Sequence, residues 1–261
     1  MTVLDKIIAF KKTEIAKIKA TVPLQKLVES PFFKKPTFSL QEALLRPSST
    51  GVLAVFKRQS PAGGTYNEQS SIAEVTKGYL EANVAAQVIC TDTSFYGGAM
   101  VDVMEARALN TTTPIVRKDF VVDAFQIVET KAIGADAITL QTACLTAKQL
   151  KNFGKLATDL GLEVLYEVST KEGLEKLPSF AKIVSIDNRE MDTFQVNLEK
   201  SIQLASLLPK DCIRVSASGL NDPRVLMGLK EYDYTGFLIG EHFMKATDPG
   251  LACQEFINQI R

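Results

Sequence analysis

The sequence predicts an α/β protein, a (β/α)8 TIM barrel with an N-terminal helical extension, and three observations carry that prediction. From Gly51 onward, short apolar runs the length of buried parallel strands alternate with longer amphipathic segments. The unit recurs eight times with no linker between copies, which is the count of a closed barrel rather than an open sheet. The chain has 261 residues, near the usual length of one such barrel, so 1–261 reads as one domain with 1–50 as the extension.

Each element follows from the pattern in turn. Residues 2–20 place Val3, Leu4, Ile7, Ile8, Phe10, Ile15 and Ile18 near helical spacing, and the Lys11-Lys12 pair reads as a solvated helix face. Met1 to Lys6 reads as the start of that helix and lacks the apolar stretch of a signal peptide. Residues 21–50 are punctuated by prolines, with a short helical piece at 39–45. Strands are expected at 52–56, 86–90, 113–116, 137–141, 163–167, 182–186, 212–216 and 236–239. Helices are expected near 70–82, 99–108, 123–133, 146–160, 170–176, 197–207, 221–230 and 249–260.

A barrel of this kind carries its chemistry at the C-terminal ends of its strands. The first strand ends in Lys57, the third in Arg117-Lys118-Asp119 and the fifth in Glu167. The sixth leads into Asp187-Asn188-Arg189, the seventh into Ser216-Ala217-Ser218-Gly219 and the eighth into Gly240-Glu241. Backbone N–H groups at Gly219 and Gly240, each ahead of a helix, suit a phosphate group. Lys57, Lys118 and Glu167 then point toward one mouth, where an amine can act as acid, anchor or imine-forming group and a carboxylate can move protons. Charges solvated at the rim are the plainer reading of the same residues.

At these residues the chain resembles the indole-3-glycerol-phosphate synthase family over nearly its whole length. The matching motifs are Lys57-Arg58-Gln59-Ser60-Pro61, Thr91-Asp92 with Phe95-Tyr96-Gly97-Gly98, and Arg117-Lys118-Asp119-Phe120. Further on come Gly161 to Val168, Asn188-Arg189, Ser218-Gly219 and Ile239 to Met244. The resemblance implies a lyase of tryptophan biosynthesis, which closes an indole ring on a carboxyphenylamino-deoxyribulose phosphate with decarboxylation and dehydration. It implies neither metal nor cofactor. It makes Lys118 the general acid of ring closure, Lys57 the anchor of the substrate carboxylate, and Glu167 the acid/base of dehydration. Ser60, Arg189, Ser218, Gly219, Gly240 and Glu241 would surround the phosphate.

The chain departs from the family's pattern at several of these places. Val55 stands at a usual glutamate and Ala62 at a usual serine, Asp187 replaces an asparagine, and Ala217 replaces a glutamate. Ser169 stands where a histidine is frequent, and Thr139 and Gln141 interrupt a strand that is commonly aliphatic. With two carboxylates lost, the pKa values of Lys57 and Lys118 are expected to fall unless Asp187 compensates. The leading expectation is therefore a pocket remodelled, naturally or by engineering, with native ring closure impaired. Such a pocket would serve a Kemp-type elimination with Asp187 or Glu167 as base, or a retro-aldol reaction through Lys57 or Lys118. A working diverged synthase and a barrel that only binds a small ligand are the alternatives.

Composition narrows the partners. Basic and acidic residues balance at 30 each, which lacks the electrostatic footprint of a nucleic-acid binder. No apolar stretch approaches the roughly 18 residues needed to span a membrane. Cys90, Cys144, Cys212 and Cys253 form no CxxC pair and read as buried free thiols of a reducing cytoplasm. His242 is the only histidine, so histidine-based triads and metal sites are not expected, and it reads as a surface or packing residue. Tyr66 and Tyr96, in the first two loops, would either stack on an aromatic substrate or cover the core rim. A cytoplasmic monomer acting on a small molecule is expected.

Overall fold

The computed structural model describes residues 2–67 and 70–260 of the chain. Met1, expected to open the first helix, and Arg261, expected to close the domain, lie outside the described residues. Eight parallel strands close into a barrel: β1 (Val52–Phe56), β2 (Ala86–Cys90), β3 (Ile115–Lys118), β4 (Ala137–Gln141), β5 (Glu163–Val168), β6 (Ile183–Asp187), β7 (Ile213–Ala217) and β8 (Tyr234–Ile239). Neighbours in sequence are neighbours in the sheet, and β1 closes the ring on β8 with Val52 opposite Phe237. The fold is the TIM barrel that the alternation predicts.

Three strands begin and end as read from the sequence, and β3 differs most. It starts two residues late because Pro114 has no N–H for the ladder. It continues through Arg117 and Lys118, charges that look like a strand's end but point to opposite sides of the sheet. Lys118 faces inward, whereas Arg117 lies buried in the helical layer, where it pairs with Glu129 at 2.7 Å and Asp119 at 3.0 Å. Short helices at Leu24–Val28, Thr93–Tyr96 and Glu241–Met244, and a two-residue ladder of Gln59–Ser60 with Gly64–Thr65, had no periodic signal long enough to read.

Two apolar layers result from the strand alternation. Residues pointing outward, among them Phe56, Ile89, Ile138, Tyr166 and Phe237, pack against the ring of helices. Residues pointing inward, among them Leu53, Val88, Val116, Leu165, Val215 and Leu238, fill the barrel. Leu40 and Leu44 of the helix Leu40–Leu45 join the inner cluster and plug the N-terminal end of the barrel. The opposite end is left open for polar groups. The helices Ile72–Glu81 and Pro249–Asn258 meet with their backbones nearly touching, since a Cβ on Gly78 would stand 2.6 Å from the Cα of Gly250. Only glycine permits that approach.

The N-terminal helix α1 (Val3–Thr21) corrects one expectation. Thr2 caps it and Asp5 completes a capping box. Lys12 is exposed as expected, but Lys11 is 2% exposed. Its ammonium lies 2.5 Å from Glu14, 2.6 Å from Asp92 and 3.2 Å from Asp119, so the helix is pinned to the loops that follow β2 and β3. The apolar periodicity of α1 is satisfied on either side of Lys11, which is why the lysine reads as solvated from sequence. Those carboxylates hold its pKa above that of an ordinary lysine, although burial opposes the charge.

The cysteines are free, but only Cys90 and Cys253 are buried; Cys144 and Cys212 are partly exposed. Among the described residues no helix is long and apolar enough to cross a membrane, and no cluster of His, Cys, Asp and Glu has the make-up of a metal site.

Candidate active site

A cavity of about 500 Å³ opens at the C-terminal ends of the strands. It is lined by Lys57, Ser60, Lys118, Glu167, Asp187, Arg189, Ser218, Gly219, Gly240 and Glu241, so every catalytic and phosphate-site candidate of the sequence converges on one space. Val55, Ala62, Gln141 and Ala217, which read from the sequence as departures from the family's pattern, line it too. Thr139 and Ser169 do not: Thr139 is buried deeper in the barrel, and Ser169 lies past the end of β5, outside the lining. Of these six departures read from the sequence, four therefore face the cavity and two do not.

The centre of the floor is an ion pair between the Lys118 ammonium and Glu167 Oε1. The other carboxylate oxygen of Glu167 accepts a hydrogen bond from Gln141 Nε2 at 3.0 Å. Burial disfavours the charge on Lys118, yet Glu167 and then Asp187 more than offset it and hold the pKa above the usual lysine value. The expected fall therefore does not occur at Lys118. It does occur at Lys57, whose pKa burial pulls down, with Lys118 and Arg189 adding like-charge repulsion. The Lys57 ammonium sits 5.2 Å from the centre of the Tyr66 ring and 5.9 Å from that of Tyr96. The two tyrosines thus flank the amine from the first two loops.

Asp187 accepts a hydrogen bond from the Arg189 N–H at 3.0 Å. Enclosure and the neighbouring Glu167 raise its pKa, against the pull of Lys118. A carboxyl whose pKa is raised on folding stabilises the native state fully below the unfolded value, and that contribution is lost as pH rises through the folded value. Asp187→Asn is therefore expected to raise Tm at neutral pH, with the gain vanishing below about pH 4. Thermal unfolding at both pH values checks this, and a gain that persists in acid would refute it.

The second wall suits an anion. Ser218 and Gly219 adopt left-handed backbone, at φ 70° and 80°, which turns the chain sharply after β7. Gly240 lies against Val55, and a Cβ there would stand 2.7 Å from that of Val55. Arg189 is anchored by Glu241 at 2.8 Å and by the Phe194 carbonyl at 3.0 Å. The Ser60 hydroxyl lies 2.5 Å from Tyr66 Oη and accepts from the Gly63 N–H. Asn188 turns away from the cavity and ties the loops together, donating to Ser216 at 3.1 Å and accepting from the Ser201 hydroxyl at 2.8 Å.

Cys90, Phe194, Val196, Leu220 and Lys245 also line the cavity and were missed in the sequence. Cys90 ends β2, so the strand-end rule applied to that strand would have found it. Phe194, Val196 and Leu220 come from irregular loops that carry no period. His242 is exposed and packs on Phe243 and Phe256 with ring centres 5.6 and 5.4 Å apart, but it also lines the cavity, which the surface-or-packing reading did not include.

The model of the family "Indole-3-glycerol phosphate synthase" matches residues 4–256. The chain belongs to the indole-3-glycerol phosphate synthase family. It is 37% identical over 259 residues to the indole-3-glycerol phosphate synthase of Bacteroides thetaiotaomicron, covering 99% of both chains. It is 35% identical over 254 residues to that of Salinibacter ruber, covering 97% of this chain and 94% of the other. Among solved structures, 3-hexulose-6-phosphate synthase from Salmonella typhimurium superposes with a TM-score of 0.62 at 11% identity, covering 81% of this chain and 100% of that one. Tryptophan synthase subunit alpha from Legionella pneumophila does so with 0.60 at 13% identity, covering 85% and 96%. At such identities these two share the barrel, while the family is carried by the synthases.

Proposed function

We propose that this chain is a working indole-3-glycerol phosphate synthase, converting a carboxyphenylamino-deoxyribulose phosphate to indole glycerol phosphate with loss of carbon dioxide and water. The observation that carries the reading is the convergence, in one cavity, of the Lys118–Glu167 pair with Lys57 on one side and the Ser218-Gly219 and Gly240 turns on the other. Ring closure puts negative charge on the substrate's ketone oxygen, and a cation already held in place stabilises that charge without reorganising at the moment of reaction. Lys118, kept protonated by Glu167 and Asp187, supplies that cation and its proton. Lys57 pairs with the substrate's carboxylate, an incoming negative charge that favours its protonated form. Glu167 moves the protons of the dehydration. The substrate phosphate rests on the two glycine turns near Arg189.

Two observations favour the other reaction class expected from the sequence. Asp187, with a raised pKa, has the character of a carbon-acid base, and Lys57, with a lowered one, that of an imine-forming amine. The comparisons lend no support to that recast pocket, and the Lys118–Glu167 pair favours the synthase. Steady-state turnover of the carboxyphenylamino-deoxyribulose phosphate, followed by indole fluorescence, tests the choice. Sustained turnover is expected. A folded protein without turnover would overturn the reading, and borohydride trapping of Lys57 with retro-aldol substrates would then be the next measurement.

A further inference from the structure

Gln141 and Cys144 have no role in the reaction as set out above, yet they complete the surroundings of Glu167. Gln141 is the last residue of β4 and stands directly opposite Glu167 in the ladder with β5. Its side chain points inward, in phase with Ala137 and Thr139. Nε2 donates to Glu167 Oε2 at 3.0 Å, while Lys118 holds Oε1. Each carboxylate oxygen thus has its own donor. A turn after β4, closed by Cys144 N–H to Gln141 O at 3.1 Å, brings the thiol back over the amide. Cys144 Sγ donates to Gln141 Oε1 at 3.0 Å.

The orientation of the amide follows from its two neighbours. Turned over, it would set its own carbonyl oxygen against a carboxylate oxygen, two acceptors with no proton between them. With Oε1 toward the thiol and Nε2 toward Glu167, both contacts are hydrogen bonds. Burial pushes the Cys144 thiol up to about 12, so it keeps its proton and remains a donor through the neutral range.

We infer that Gln141, itself oriented by Cys144, is a positioning residue that fixes the Glu167 carboxylate opposite Lys118. Without it, the carboxylate would be free to turn about its last bond and share Lys118 between both oxygens, leaving the proton-transfer geometry undefined. The inference rests on the synthase reading for its kinetic consequence and on the side-chain hydrogen bonds for its structural one. The two are tested separately.

Gln141→Met keeps the length and volume of the side chain and removes the donor. It is expected to lower kcat about tenfold, and up to a hundredfold if the carboxylate shifts by about 1 Å, with KM within roughly twofold. Cys144→Ala is expected to lower kcat in the same direction by a smaller factor. Cys144→Ser retains a donor and is expected to restore most of that loss. In nitrogen-15 spectra the Gln141 side-chain amide, assigned by its disappearance in Gln141→Met, is expected to shift in Cys144→Ala and to return toward its original position in Cys144→Ser.

A rise in KM at unchanged kcat would make Gln141 a substrate contact and overturn the inference. Unchanged kinetics in all three variants would overturn it as well. Should the wild-type protein not turn over, the synthase reading fails by itself and the amide signal decides: a signal indifferent to Cys144→Ala sinks the positioning role. Should Gln141→Met not fold, the Cys144 pair alone decides on the same terms.

Discussion

Lys118→Met is expected to lower kcat for indole ring closure by about 10² to 10⁴, the usual contribution of a positioned proton donor. The substitution keeps the apolar stem and deletes the ammonium that faces Glu167 and Asp187. Both kcat and kcat/KM should fall together, because the interaction is made with charge that develops only in the transition state. A loss confined to KM would reassign Lys118 to binding. If Lys118→Met were harmless to ring closure while Asp187→Asn abolished it, the proton-moving role would pass from Lys118 to the carboxylate at 187. Steady-state kinetics on both variants, with thermal unfolding as a control for folding, separates these results.

The second large effect is on stability. Lys11→Met is expected to destabilise the protein by about 3–5 kcal/mol, the cost of removing one partner from a buried ion cluster and leaving the opposite charges uncompensated. Asp92 is fully buried and Asp119 nearly so, and neither could be rehydrated without opening the contact between α1 and the barrel. Arg117 would still face Asp119, but Asp92 would lose its cation. For a chain of this size the change corresponds to a fall in Tm of roughly 10 °C. Lys12→Met, one residue on and exposed, is expected to change stability by less than about 0.5 kcal/mol. Equal Tm values for the two variants would show that the cluster contributes nothing net. Asp119 follows Lys118 in the chain, so loss of the α1 contact also loosens the loop beside the reactive ammonium.

How much of this was legible in the sequence depended on whether a signal was local. The barrel strands were readable because a strand buried on both faces is a short apolar run, and eight such runs leave few other architectures. The site residues were readable because polar groups that end apolar strands collect at one mouth of a barrel. Lys11 was not readable, since its three carboxylates come from α1 itself and from loops about 80 and 108 residues away in sequence. Arg117 and Lys118 are adjacent and both charged, and only the closed sheet assigns one to the helical layer and the other to the cavity. Gln141 read as a departure from an aliphatic strand, with nothing in the sequence to say that Glu167 stood across from it. The fall in pKa expected for both lysines held for Lys57 alone, where burial drives it, because Glu167 and after it Asp187 outweigh burial at Lys118.

The close approach of Gly78 and Gly250 has a consequence for how the molecule is made. These residues join the first helix of the ring to the last, and they lie 172 positions apart in the chain. A ribosome releases Gly78 long before Gly250 exists, so for most of synthesis the emerging helix Ile72–Glu81 has no partner on that side and β1 has no β8. The unfinished ring exposes a sheet edge and an apolar helix flank at once, the two surfaces most prone to misassociation. Its safety during translation depends on how soon the last helix arrives.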